Sequence, residues 1–201
     1  MKIGVIDSGL GNVGSVLNMI KKIGYHSIKI SKTTDFQNVD KIIIPGVGSF
    51  DSGIQKLQEK DFISILLDQA NEGKHILGIC LGMQMLASSS EEGLKEGLNL
   101  IPGVVKNFPS SINLPIPHMG WNSVEFKSHQ ISKNLNNNKF YFVHSFYYQT
   151  KVEKCSIGKT SYGIKFSSCV NKDNIFGVQF HIEKSHKYGM QLFRNFVELP
   201  L

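Results

Sequence analysis

Gly78-Ile79-Cys80-Leu81-Gly82 places a thiol between two glycines, spaced as in a nucleophile elbow with Cys in place of Ser. The residues before it, His75–Cys80, form an apolar run that predicts a buried strand, and a helix is predicted from Gly82. Cys80 would then sit at a strand-to-helix junction, at the carboxyl end of a sheet strand, where doubly wound folds carry their sites. The first backbone N–H groups and the positive dipole end of the helix would favour a thiolate there. Cys155 and Cys169 have no such frame and read as structural.

A thiol with a reference pKa of ~8.5 needs a base to become a good nucleophile at neutral pH. Of the seven histidines, His181 lies at the end of an apolar run, Phe176 to Phe180, with Glu183 two residues on. In an extended chain, positions i and i+2 point to the same side. Glu183 could therefore hold one imidazole nitrogen while the other faces Cys80, which is the nucleophile–base–orienter logic of a triad. A His-x-Glu alone is commonly plain surface; it gains weight here because the elbow requires a partner.

The elements that must position these residues are legible as alternating strands and helices. Strands are predicted at Lys2–Asp7, Ser27–Ser31, Lys41–Pro45 and His75–Cys80, and helices at Val13–Ile23 and Phe50–Ala70, the latter with a break near Asp61. That order implies an α/β fold: a mostly parallel twisted sheet with helices on both faces. After Gly103 come short strand-like runs at Ser123–Phe126, Lys139–Tyr148, Thr160–Ser167 and Ile175–Phe180. They predict an antiparallel extension closed by a helix at Tyr188–Glu198, with a loop at Asn134–Asn138.

Bulk properties narrow the class. A chain of 201 residues with 41% hydrophobic and 19% charged residues suits one soluble domain spanning 1–201. No apolar run reaches the roughly 20 residues of a membrane span, and the N-terminal residues do not read as a signal peptide. The expected location is the cytoplasm, with no membrane contact. The net charge of +6 comes from scattered lysines and a single arginine, Arg194, so no nucleic acid is expected as a partner. Three widely spaced cysteines suit neither a disulfide framework nor a metal site, and no metal or cofactor is expected. Gly9–Gly11 lacks both the P-loop lysine and the dinucleotide-binding glycine spacing.

The chain resembles the class I (triad) glutamine amidotransferases, whose sheet is flavodoxin-like. The motifs that carry the resemblance run through nearly the whole sequence: GLGNVGSV, Pro45-Gly46-Val47-Gly48-Ser49-Phe50, GICLGMQML, GLNLIPGVV, Pro117–Asn122, Tyr141–Ser145 and Gly177–Ser185. PGVGSF, PHMGWN and YFVHS are specific to the glutaminase subunits that feed ammonia to a cyclase of histidine biosynthesis. A paralogous group that supplies ammonia for amidino groups on surface sugars is similar. The resemblance implies glutamine as substrate and a heterodimer with a (β/α)8-barrel cyclase (synthase) subunit.

It also implies residue roles. Cys80 attacks the amide to form a glutamyl thioester, His181 protonates the departing ammonia and later activates water, and Glu183 orients His181. Oxyanion donors would come from Val47, Gly48 and Leu81. Gly46, Gln84, Glu92, His144, Ser145 and Phe146 would hold the glutamine, with Glu91 as the alternative to Glu92. Asn12, Pro117, Met119, Trp121 and Asn122 would face the partner, although the single Trp could equally be a core aromatic. Two positions depart from the family pattern: Ile182 stands where proline is usual between His and Glu, and Val13-Gly14 stand where leucine–arginine is more frequent. Other readings of the same residues are a non-catalytic binding subunit and a stand-alone cysteine hydrolase or peptidase.

Overall fold

The computed structural model describes residues 1–135 and 138–200, so the middle of the predicted loop Asn134–Asn138 lies outside the described residues. The first half of the chain runs β1 (Lys2–Ile6), α1 (Val13–Lys22), β2 (His26–Ile30), β3 (Lys41–Gly46), α2 (Phe50–Glu59), α3 (Phe62–Asn71), β4 (His75–Cys80) and α4 (Leu81–Met85). The second half adds β5 (Ser89–Ser90), β6 (Gly103–Asn107), β7 (His118–Ser123), β8 (Glu125–Phe126), β9 (Lys139–His144) and β10 (Phe146–Thr150). It ends with β11 (Ser156–Tyr162), β12 (Ile164–Lys172), β13 (Ile175–Val178) and α5 (His186–Val197).

The main sheet has the order β2-β1-β3-β4-β13-β12-β10-β6-β5, with β11 and β8 attached beside β12. Its first five strands are mutually parallel, and β13, β12, β10 and β6 then alternate in direction. This is the mostly parallel α/β sheet with an antiparallel extension that the sequence predicts. Strand alternation explains the two cores. Ile43 packs with α1 and α5 on one face, through Val16, Ile20, Phe193 and Phe196. Ile42 and Ile44 pack with α2 and α3 on the other, through Ile54, Leu57, Phe62 and Leu66. Because both faces are covered, β3 is apolar without a break from Ile42 onward, and each buried Ile contributes about 1.5–3 kcal/mol relative to exposure.

The break expected near Asp61 is present: Phe50–Ala70 is two helices, parted at Asp61, whose φ of +56° no helix interior accommodates. Two other sequence expectations need correction. Lys139–Tyr148 is two strands in different sheets: β9 pairs with β7 in a separate ribbon, whereas β10 pairs with β6 and β12. Thr160–Ser167 is the middle of a longer hairpin, β11 and β12, which turns at Gly163 with φ of +68°. Among the described residues no helix is long and apolar enough to cross a membrane.

Candidate active site

The carboxyl ends of β3, β4 and β13 meet at one point of the parallel core. Cys80 ends β4 with φ +55° and ψ −111°, a conformation that strains any residue with a Cβ. The neighbouring glycines make the turn possible. A Cβ on Gly82 would overlap the carbonyl of Ile44, and one on Gly78 would lie 2.5 Å from the Gly82 carbonyl oxygen. Gly46 is the register partner of Cys80 across β3 and β4, and Leu81 opens α4 immediately after the thiol.

His181 follows β13. Its backbone N–H donates to the Tyr141 carbonyl at 2.9 Å, and its own carbonyl accepts the Ser185 hydroxyl at 2.6 Å. These bonds fix the residue between β9 and the start of α5. His181 Nδ1 lies 2.8 Å from Glu183 Oε1, with both side chains more than nine-tenths buried. Strand alternation predicts this pair along an extended chain, but β13 ends at Val178 and residues Ile182–Lys184 form a 3-10 turn. The turn, not strand alternation, swings Glu183 back onto the imidazole. Burial of His181 disfavours its charged form, but the Cys80 sulfur and the Glu183 carboxylate outweigh that cost. Together they raise the imidazole pKa to about 10.

A pocket of about 250 Å³ opens over the thiol. Ten of the residues expected to carry the chemistry or hold the substrate line it: Val47, Gly48, Cys80, Leu81, Gln84, Glu92, His144, Ser145, Phe146 and His181. Gly46 sits behind it in β3, and Glu183 behind His181. Gly48 has φ of +109°, so the loop that carries Val47 and Gly48 depends on glycine. Glu92 Oε2 accepts the N–H of Phe50 at the start of α2, whereas Glu91 turns away to the N–H of Asn107. The Glu92 position is thus the one that faces the pocket. Cys155 and Cys169 are buried elsewhere, and burial pushes the Cys169 thiol far above its usual range. Among the described residues no cluster of three or more His, Cys, Asp or Glu could hold a metal ion.

The partner-facing candidates divide. Met119 and Trp121 alternate outward on β7, with 62% and 46% of their surface exposed, and Trp121 stacks on His186 at 5.3 Å. The single tryptophan is therefore not a core residue. Asn122 turns inward, its amide bonding His118 and the Ser161 carbonyl. Pro117 lines the pocket, and Asn12 caps α1 by accepting the N–H of Ser15 at 3.0 Å.

Two residues near the thiol were not singled out in the sequence. Val143 lines the pocket and offers its carbonyl 3.8 Å from Cys80 Sγ. Gln179, fully buried, brings Nε2 to 3.9 Å from the same sulfur and takes a hydrogen bond from Gln84 on Oε1. The signal for Gln179 was an amide inside the apolar run Gly177-Val178-Gln179-Phe180, since a buried polar side chain there demands partners.

A strained cysteine elbow on a parallel sheet, with a buried His–Glu pair beside it and a small pocket above, is the arrangement that a cysteine-dependent enzyme of the triad type requires. The class I glutamine amidotransferase family model matches residues 4–199, and the chain belongs to that family. It is 48% identical to imidazole glycerol phosphate synthase subunit HisH 2 of Methanococcus maripaludis, over 98% of each chain. It is 45% identical to imidazole glycerol phosphate synthase subunit HisH of Leptospira borgpetersenii, over 98% of this chain and all of the relative. In fold it resembles the crystal structure of a glutamine amidotransferase, with a TM-score of 0.76 at 17% identity over 98% of this chain and 97% of the other. PurLQS from Thermotoga maritima gives 0.74 at 16% identity over the same shares.

Proposed function

We propose that this chain is the glutamine-hydrolysing subunit of imidazole glycerol phosphate synthase, acting in histidine biosynthesis. Its near full-length similarity to subunits of that name supports the pathway. The observation that carries the chemistry is Cys80 on its strained elbow beside the buried His181–Glu183 pair, under one pocket.

The reaction follows from the groups present. Glu183 accepts the Nδ1–H of His181, which leaves Nε2 to take the thiol proton of Cys80. The sulfur attacks the side-chain carbonyl carbon of glutamine, and the developing oxyanion is held by backbone N–H groups of the Val47–Gly48 loop and Leu81. One such donor is worth roughly 2.7–4 kcal/mol of barrier. The imidazolium then gives its proton to the amide nitrogen, the C–N bond breaks, and ammonia leaves a glutamyl thioester. Water attacks the thioester with His181 as base, releasing glutamate and restoring the thiol. Gly46, Gln84, Glu92, His144, Ser145 and Phe146 hold the amino acid, and no metal or cofactor takes part.

The partner is a cyclase subunit with a (β/α)8 barrel, forming a heterodimer through the face that carries Met119 and Trp121, with Asn12 and Pro117 in the same contact and the inward-turned Asn122 behind it. Exposed Met and Trp side chains suit an interface core. We place the complex in the cytoplasm and treat residues 1–201 as one amidotransferase unit. The test is glutamine hydrolysis by the chain mixed with the histidine-pathway cyclase. Glutamate release coupled to imidazole glycerol phosphate formation is expected. Stimulation only by a sugar-pathway partner would overturn the pathway, and activity indifferent to any partner would indicate a stand-alone hydrolase.

A further inference from the structure

Two buried histidines form a hydrogen-bonded chain behind the pocket, and the mechanism above uses only one of them. His118 Nδ1 lies 2.8 Å from His144 Nε2, and His144 Nδ1 lies 2.8 Å from the Phe146 carbonyl oxygen. At the other end, Asn122 Nδ2 is 3.1 Å from His118 Nε2 and 3.0 Å from the Ser161 carbonyl oxygen. A carbonyl oxygen only accepts, so neutral His144 carries its proton on Nδ1 and presents Nε2 as an acceptor. His118 must then donate from Nδ1, and its Nε2 must accept from the Asn122 amide. A single set of proton positions satisfies every bond between Ser161 and Phe146. Burial holds both rings neutral, lowering His118 to about 4 and His144 to about 3.

The chain ends on the pocket wall. His144, Ser145 and Phe146 all line the pocket, and the Phe146 carbonyl also accepts the Gln84 amide at 3.1 Å. The His118 ring is itself held between Phe142 and Tyr162, with centroids 4.7 and 4.1 Å away. Its shape and its N–H can therefore be separated by substitution. Asn122 neighbours the exposed Trp121, so the same chain joins the outward strand β7 to the pocket.

We propose that His118 is a positioning residue for glutamine binding: its Nδ1–H fixes the His144 ring and, through it, the 144–146 turn that walls the pocket. This rests on the glutaminase reading. It predicts an effect on KM and not on kcat, because His118 touches neither Cys80 nor the His181–Glu183 pair in the hydrogen-bond pattern.

The experiment measures glutamine hydrolysis by the complex with its cyclase for the wild type, His118→Phe and His118→Asn. The Phe variant keeps the stacked ring but loses the donor, and should raise KM about tenfold with kcat within about threefold, the loss expected for one buried hydrogen bond. The Asn variant offers an N–H close to the Nδ1 position and should recover most of that loss. An unchanged KM in His118→Phe would overturn the inference, as would His118→Asn performing no better than Phe. Should the Phe variant fail to fold, nitrogen NMR of the wild-type chain decides. Both rings must be Nδ1–H tautomers, and an Nε2–H tautomer at His144 would contradict the inference. A wild-type complex that hydrolyses no glutamine overturns the glutaminase reading and the inference with it. That result is distinct from a working wild type beside an unaffected His118→Phe.

Discussion

Gly11 stands against Gly46: a methyl group on Gly11 would sit 3.2 Å from both the Cα and the N of Gly46, and Gly11 itself has φ of +102°. Gly46 begins the Gly46-Val47-Gly48 segment proposed to supply oxyanion donors, and Asn12 beside Gly11 belongs to the proposed partner face. Contact at Asn12 is thereby one residue and one van der Waals layer from the Gly46 backbone. A glycine-rich loop can turn its amides toward or away from the oxyanion at little cost, so a partner can bias the two arrangements. Glutamine hydrolysis should rise at least about tenfold from the chain alone to the complex with acceptor substrate present, a typical coupling of order 1–3 kcal/mol. Equal rates alone, with the cyclase, and with cyclase plus acceptor would contradict the gate.

Gly11→Ala probes the same contact. The added Cβ strains a left-handed backbone and presses on Gly46, so stimulation by the cyclase should fall more than the basal rate does. Steady-state rates with and without partner give the ratio. A variant whose stimulation matches the wild type would separate the two segments functionally.

For the base, His181→Asn should lower kcat by on the order of 10²–10⁴-fold, the usual worth of a general acid–base group. Glu183→Gln should be milder, since it disturbs orientation and leaves the proton carrier in place. Ile182 is buried and its side chain takes no part in the proton path, so Ile182→Pro should leave turnover nearly unchanged. A many-fold gain from Ile182→Pro would mean that the residue weakens the native site.

Stability should peak near neutral pH. His118 and His144 are held neutral, to about 4 and about 3, so the unfolded chain gains protons first as pH drops below about 6.5 and stability falls. His181 works in the opposite sense. Its pKa is raised to about 10, so its contribution is complete below about 6.5 and disappears as pH rises toward 10. Thermal melts from pH 5 to 9 should show a Tm that declines on both sides, and His144→Phe should flatten the acid limb. A Tm that rises steadily on acidification would refute the neutral assignments.

The elbow was legible because its requirements are local: Gly82 has no room for a Cβ under Ile44, and Gly78 none against Gly82, so both glycines appear in the sequence beside the thiol. The parallel core was legible because β3 after Lys41 and β4 after His75, covered on both faces, are unbroken apolar runs. The division of Lys139–Tyr148 was not, since hydrophobic alternation continues across Ser145 and carries no record of which strand lies alongside. Likewise the origin of the His181–Glu183 contact in a 3-10 turn depends on the Ser185 and Tyr141 bonds that hold His181, which are tertiary. Gln179 and His118 escaped for the same reason. Their meaning comes from distant partners, Gln84 and His144.

In the proposed mechanism Cys80 releases ammonia from glutamine for a reaction carried out by another subunit. Cys80→Ala in complex with the cyclase tests it most directly, with product formation measured from glutamine and, separately, from added ammonium salt. The glutamine-dependent rate should be abolished while the ammonium-dependent rate stays within about twofold of wild type, because the variant changes only a side chain in the glutaminase pocket. A Cys80→Ala complex that still uses glutamine, or one that loses both routes while remaining assembled, would contradict it.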